Sequence, residues 1–414
     1  MRRGTHLARN ARSVALHCAA ALFLLASTAT SAHADTVRER QWHLEGMHAE
    51  EMWRTSDGAG VTVAVLDSRV DADLPDLQGQ VLPEKDFSES AAPEDVPGHG
   101  TAMAVLIAGT GKGLGGTGAK GLAPGAKILP VRVDDPIGSD RSLVRAIRFA
   151  ADSNAKIINV SIGYAFESKE QAQALDYAAA KGKLVFASAG NEGQKGNPAE
   201  YPAAHKGVVG VGAIDRNARV TAESQRGRQV VLAAPGDDMY TTTRQGTGIR
   251  RSHGTSDASA LASASAALLW SAHPNWTANQ VLRVLINTAG GPKSGEKRND
   301  TLGYGVVRPR IALKSPGDPG PAEVNPLLGT SLPKSSESKR PEAQKQAGQK
   351  PEAAPEKASE DNTPSAWIGA AVGAFAVLAA AITIPFTVAR RRRNRATAFG
   401  PPPPPYGSYN SDSR

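Results

Sequence analysis

Short apolar runs that alternate with helical segments constrain this chain more than any other feature. Val61 to Leu66 is one such run, and Lys156 to Ile162, Lys183 to Ser188 and Val208 to Ala213 repeat it. Between them, Ser142 to Asp152 sets Leu143, Ile147 and Ala150 on one helical face against Arg141, Arg145 and Arg148. Ala172 to Lys181 is also helical in pattern. Strands that lack polar alternation are buried on both faces. Their alternation with helices predicts an α/β fold, a mostly parallel sheet with a helical layer on each side. In such sheets the functional site lies beyond the carboxyl ends of the strands.

Three local patterns place reactive groups at such ends. Val63-Ala-Val-Leu-Asp67-Ser68 finishes a buried strand on an Asp. Gly98-His99-Gly100-Thr101 puts a His at the start of an apolar, helix-like segment. Ser252-His-Gly-Thr-Ser256 puts a Ser just before an Ala-rich helix, Ala258 to Trp270. A serine hydroxyl is a weak nucleophile until a base removes its proton, and a His titrating near neutrality can do this. An Asp holds the imidazole in the right tautomer and stabilises its cation. Ala187-Ser188-Ala189-Gly190-Asn191 ends another strand on an amide that can donate to an oxyanion. The expected catalytic residues are therefore Asp67, His99 and Ser256, with Asn191 in the oxyanion hole.

With these motifs in this order, the chain resembles the subtilisin-like serine proteases over residues 58–314. The resemblance implies the three-layer fold of that family and hydrolysis of polypeptides, a serine endopeptidase activity. It also implies that Ser161, Ile162 and Gly163 pair with an extended substrate by strand addition, with Ser188, Ala189 and Gly190 as further substrate-binding residues. Two tryptophans, Trp42 and Trp53, lie in a short extension at 35–57 ahead of the domain. A signal-like N-terminus at 1–34, this extension, the protease, a Pro-rich linker at 315–365 and one uncharged stretch at 366–389 make a layout that resembles the mycosins, subtilases associated with actinobacterial type VII secretion systems, which implies that machinery as a partner.

Some positions depart from the family pattern. Arg69 stands where a Gly is usual after Asp-Ser, Ala102 where a second His is usual, and Asp257 and Ala260 where Met and Pro are usual. Asp257 puts a carboxylate beside a site that stabilises negative charge, so it is expected to restrain catalysis unless a neighbour such as Arg69 pairs with it. The loop that binds calcium in many relatives is here Gly111-Lys-Gly-Leu-Gly-Gly116, without carboxylates. No metal and no cofactor is expected, and Asp71, Asp73 and Asp76 read as turn and surface acids. His253, beside the nucleophile, reads as a backbone-positioning residue, and His205 and His273 read as structural or surface residues.

The flanks predict an extracytoplasmic, single-pass membrane protein. Arg2, Arg3, Arg9 and Arg12, a short apolar stretch and Ala32-His33-Ala34 make residues 1–34 a signal peptide. Cys18, the sole cysteine, falls within it, which excludes thiol-protease and CxxC metal-site chemistry. Residues 315–365 are rich in Pro, Glu, Lys and Ser, with the composition of a disordered linker. Residues 366–389 carry no charge and are long enough for one transmembrane helix. Arg390 to Arg393 and Arg395 follow directly, so the tail at 390–414 is expected in the cytoplasm and the catalytic domain outside. The net charge of +8 is thus explained by topology, and no nucleic-acid module is present. Two other readings stay open: a weak or inactive subtilase that supports a secretion complex, and an esterase built on the same triad.

Overall fold

The computed structural model describes residues 36–89, 98–134, 139–243 and 246–329. The expected signal peptide, transmembrane segment and tail lie outside these residues. Among the described residues no helix is long and apolar enough to cross a membrane.

A seven-stranded sheet forms the middle layer. In chain order its strands are β1 (Thr62–Asp67), β2 (Lys85–Asp86), β3 (Lys127–Arg132), β4 (Ile157–Val160), β5 (Leu184–Ser188), β6 (Val209–Ile214) and β7 (Val230–Pro235). Their spatial order is β2-β3-β1-β4-β5-β6-β7, and every pairing is parallel. A separate antiparallel pair, β8 (Met239–Thr242) and β9 (Ile249–Ser252), precedes the longest helix among the described residues.

Helices of six or more residues are numbered α1 (His99–Ala108), α2 (Arg141–Asp152), α3 (Lys169–Ala180), α4 (Thr255–Ala272), α5 (Ala278–Asn287) and α6 (Pro309–Lys314). Successive strand side chains point to opposite faces, so each strand feeds two cores. Val63 and Val65 of β1 join a core made with α1, α4 and α5. Ala64 and Leu66 join the other, made with α2 and α3. Helix α2 buries Leu143, Ala146, Ile147 and Ala150, the face expected from its spacing. Helix α4 is different, because sixteen of its residues, Thr255 to Trp270, are buried. Its Ala and Ser side chains are small enough for a helix to be enclosed. The buried Ser259 and Ser263 hydroxyls both donate to Asn159 Oδ1 on β4, at 2.8 and 3.0 Å. That satisfies polar groups whose burial without a partner would cost about 1–3 kcal/mol each.

Two flanking segments pack onto this domain. The extension at 36–57 contributes Val37, Leu44, Met47 and Met52 to the core. Its tryptophans donate through their indole N–H groups, Trp42 to the Asp237 carbonyl at 3.0 Å and Trp53 to the Leu122 carbonyl at 2.9 Å. At the other end, residues 316–329, expected to begin the disordered linker, instead form a strap over α5. Arg283 donates to the carbonyls of Pro319, Pro321 and Val324, and Asn279 to that of Ala322. Composition missed this because the strap is held through its backbone carbonyls, which every residue carries.

Candidate active site

Each predicted reactive side chain sits at the carboxyl edge of the sheet. Asp67 is the last residue of β1, and Ser161 directly follows β4. Ser188 ends β5, and Asn191 lies three residues beyond. His99 is the first residue of α1, and Ser256 the second residue of α4. Helix α4 thus starts earlier than the sequence suggests, and Ser256 lies inside its first turn rather than before it.

The site brings Asp67 and His99 into direct contact. His99 Nδ1 is 2.7 Å from Asp67 Oδ1, and the Ser68 backbone N–H donates to the same oxygen at 2.8 Å. Gly100 permits this approach, since a Cβ there would collide with the Ser68 carbonyl. Asp67 is almost fully buried, whereas the His99 side chain keeps 29% of its surface. The buried Asp67 charge is the largest influence on His99 and, despite partial burial of the ring, raises its pKa from 6.5 to about 9; Asp257 adds to the rise.

Ser256 is less engaged. Its hydroxyl lies 3.5 Å from the Ser161 carbonyl, and among the described residues no hydrogen bond joins it to His99. Catalytic hydrogen bonds are often long in a free enzyme and tighten around substrate. The start of α4 directs backbone N–H groups and positive potential to this point.

Asn191 is held by Thr255, the residue before Ser256. Its Oδ1 accepts from the Thr255 N–H at 2.9 Å and from the Thr255 hydroxyl at 3.0 Å. The Gly190 N–H in turn donates to that hydroxyl at 3.1 Å. A backbone N–H can only donate, so the carbonyl end of the amide faces Thr255, and Nδ2 is left to donate elsewhere. Gly254, at φ 126, lies against this amide, where an L side chain would be strained and crowded. Thr255 carries no role in the sequence reading, and only the long-range contact reveals it.

The expected substrate-binding segments flank this centre. Ser161 is buried, Ile162 half-buried and Gly163 exposed, while Ser188, Ala189 and Gly190 are buried. Among the described residues, the N–H and C=O groups of Ile162 and Gly163 have no backbone partner, which leaves an edge open to an extended chain. Asn159, also missed by the sequence reading, supports this edge by donating to Ser161 Oγ at 3.1 Å.

Asp257 is buried and accepts a hydrogen bond from Ser252 Oγ at 2.8 Å. Burial raises its pKa from 3.8 to about 6. Arg69 does not pair with it; the guanidinium instead lies 3.6 Å from Glu84. Nor is Asp76 the surface acid expected. It is fully buried, and its carboxylate accepts from Gly113 N–H, Ala119 N–H and the Thr242 hydroxyl at 2.7, 3.1 and 2.6 Å. It anchors the glycine-rich loop from inside, with its oxygens taken up by protein donors. Elsewhere, His253 contacts Glu223 at 2.8 Å and His273 stacks on Trp276.

Comparison with known proteins fits this geometry. The profile of the subtilase family matches residues 58–305. Thermitase of Thermoactinomyces vulgaris is 35% identical over 206 residues, covering 49% of this chain and 72% of thermitase. The crystal structure of MycP1 from Mycobacterium smegmatis superposes with a TM-score of 0.58 at 25% identity, covering 70% of this chain and 88% of that one. The MycP3 protease from the type VII (ESX-3) secretion system gives 0.56 at 30% identity, covering 66% and 87%. Family profile, sequence relatives and fold agree, and the chain belongs to the subtilase family of serine proteases.

Proposed function

We propose that this protein is a membrane-anchored, extracytoplasmic endopeptidase that cuts polypeptides with Asp67, His99 and Ser256. The observation that carries the reading is the 2.7 Å contact between His99 Nδ1 and Asp67 Oδ1 beside the helix start that bears Ser256. A substrate strand lies along Ser161–Gly163 and presents its carbonyl carbon to Ser256 Oγ. His99 takes the hydroxyl proton through Nε2 as the C–O bond forms, and Asp67 holds the ring and stabilises its charge. The carbonyl oxygen, now negative, accepts from Asn191 Nδ2 and the Ser256 N–H. His99 then gives its proton to the departing amine, and water repeats the sequence in reverse to release the acid. Cleavage of an unstructured protein by the purified enzyme, absent in Ser256→Ala and His99→Ala variants, tests this reading. Equal cleavage by those variants excludes it.

Two features support the anchor and the setting. Residues 366–389 are uncharged and an arginine cluster follows them, a pattern that keeps the tail in the cytoplasm. Similarity to MycP3, a protease from the type VII (ESX-3) secretion system, supports a place beside such machinery. Protease added outside intact cells then releases the catalytic domain by cutting at 330–365. Release of the tail at Tyr406 instead overturns this topology.

A further inference from the structure

The two walls of the proposed substrate groove meet at an unexpected carboxylate. A Cβ on Gly163, in the open-edged segment, would collide with Glu200 Oε2. A Cβ on Gly190, in the opposite segment, would collide with the amide of Gln225. These two side chains are joined, since Gln225 Nε2 donates to Glu200 Oε1 at 2.7 Å. The Gln225 backbone N–H also donates to the Gly190 carbonyl at 3.0 Å. Glu200 is fixed from the other side as well, because Tyr201 and Tyr164, next to Gly163, exchange backbone hydrogen bonds at 2.8 Å. The absence of side chains at both glycines therefore leaves room that a carboxylate and an amide partly fill.

Glu200 is half-buried, and among the described residues no Lys, Arg or His lies within ion-pair distance of it. Burial raises its carboxyl pKa above the ordinary range, and the charge of Glu192 adds to the rise. A carboxylate in this state gains more from a cation than one in open water, where solvent and salt screen the pair. The oxyanion site at Asn191 fixes which substrate residue reaches it. A chain paired with Ser161–Gly163, with its reacting carbonyl at Ser256, sends the side chain of that same residue between the two walls, toward Glu200.

We propose that Glu200 determines specificity and selects polypeptides with Lys or Arg immediately before the cleaved bond. This rests on the proteolytic reading of Ser256. The side-chain cation displaces part of the Gln225 interaction, and its aliphatic stem lies along the glycine walls.

Peptidyl phosphonates that differ only in Lys or Leu beside the phosphorus test this directly, because they label the nucleophile in proportion to side-chain fit. The wild-type protein is expected to be labelled at least tenfold faster by the Lys reagent. Glu200→Gln should bring the ratio close to one, and Glu200→Lys should favour a Glu reagent. A circular dichroism spectrum and an unfolding midpoint like those of wild type show that the variants are folded. Equal Lys and Leu rates in wild type, or a ratio that Glu200→Gln leaves intact, overturn the proposal. A small-molecule fluorophosphonate separates the two levels. If it labels Ser256 without any Lys preference in the peptides, only the specificity fails. If it does not label Ser256, the catalytic reading fails and the specificity falls with it.

Discussion

Thr255 holds Asn191 through two hydrogen bonds to one oxygen, across 64 residues of sequence. One comes from its backbone and one from its hydroxyl, so the residue preceding the nucleophile also aims the oxyanion donor. Asn191→Ala should lower kcat by about 100-fold or more with little change in KM, since the lost bond forms only as charge develops. Thr255→Val keeps the backbone bond and loses the hydroxyl. It should lower kcat by about tenfold, the equivalent of about 1.4 kcal/mol, and Thr255→Ser should restore it. A kcat unchanged in Asn191→Ala, with chemistry rate-limiting, removes that residue from the oxyanion hole.

Asp257 is expected to shape the pH profile. His99 must be neutral to act as base, and the negative charges of Asp67 and Asp257 hold its proton up to about pH 9. Activity should therefore rise with pH well past 6.5. Asp257→Asn removes one of those charges, so the acid limb of kcat/KM should move to lower pH. The same change should raise kcat on a short peptide, because the carboxylate no longer opposes the oxyanion. Replacement by Met should act in the same direction. An unmoved limb and an equal or lower kcat in both folded variants would assign Asp257 a structural role through its bond to Ser252.

His43 ties the stability of the extension to pH. It is fully buried and neither ring nitrogen has a partner among the described residues. Burial, with a smaller contribution from Arg38, lowers its pKa from 6.5 to about 3. The folded state thus refuses a proton that the unfolded state accepts, so stability is full above pH 6.5 and falls as pH drops toward 3. The slope approaches about 1.4 kcal/mol per pH unit in that window. His43→Leu should flatten it, as read by urea unfolding at pH 7, 5 and 4. A slope identical to wild type would show that other groups set the acid limit.

The strap at 316–329 should depend on Arg283, which binds three of its carbonyls. Arg283→Ala should make the strap a site of rapid limited proteolysis while peptide hydrolysis is retained. A digestion pattern like that of wild type would mean that the bonds from Asn279 to the Ala322 carbonyl and from Gln280 to the Gly320 carbonyl suffice to hold it.

What could be read from the sequence follows from how far each interaction reaches. The strand runs and the placement of Asp67 at the end of β1 are local, and the structure reproduces them. So is the inner face of α2, where 3.6-residue spacing alone selects Leu143, Ile147 and Ala150. Helix α4 was harder to bound, because its first turn is set by Gly254 and by contact with Asn191 rather than by its Ala-rich run. Asn159 reads as one more polar residue in a buried strand until Ser259, 100 residues later, is seen to donate to it. Asp76 reads as a surface acid, and Glu200 carries no role in the sequence, for the same reason. Their partners Gln225 and Thr242 are distant in sequence, and no periodicity links them.

Ser256 as an activated nucleophile is the centre of this account. Exposure of the intact protein to a fluorophosphonate, followed by peptide mapping, measures it most directly. The account predicts one adduct, on Ser256, that forms faster as pH rises toward 9, slows sharply in His99→Ala and is absent from Ser256→Ala. A folded wild-type protein left unlabelled across that pH range, or labelled equally when Ser256 is replaced, would contradict it.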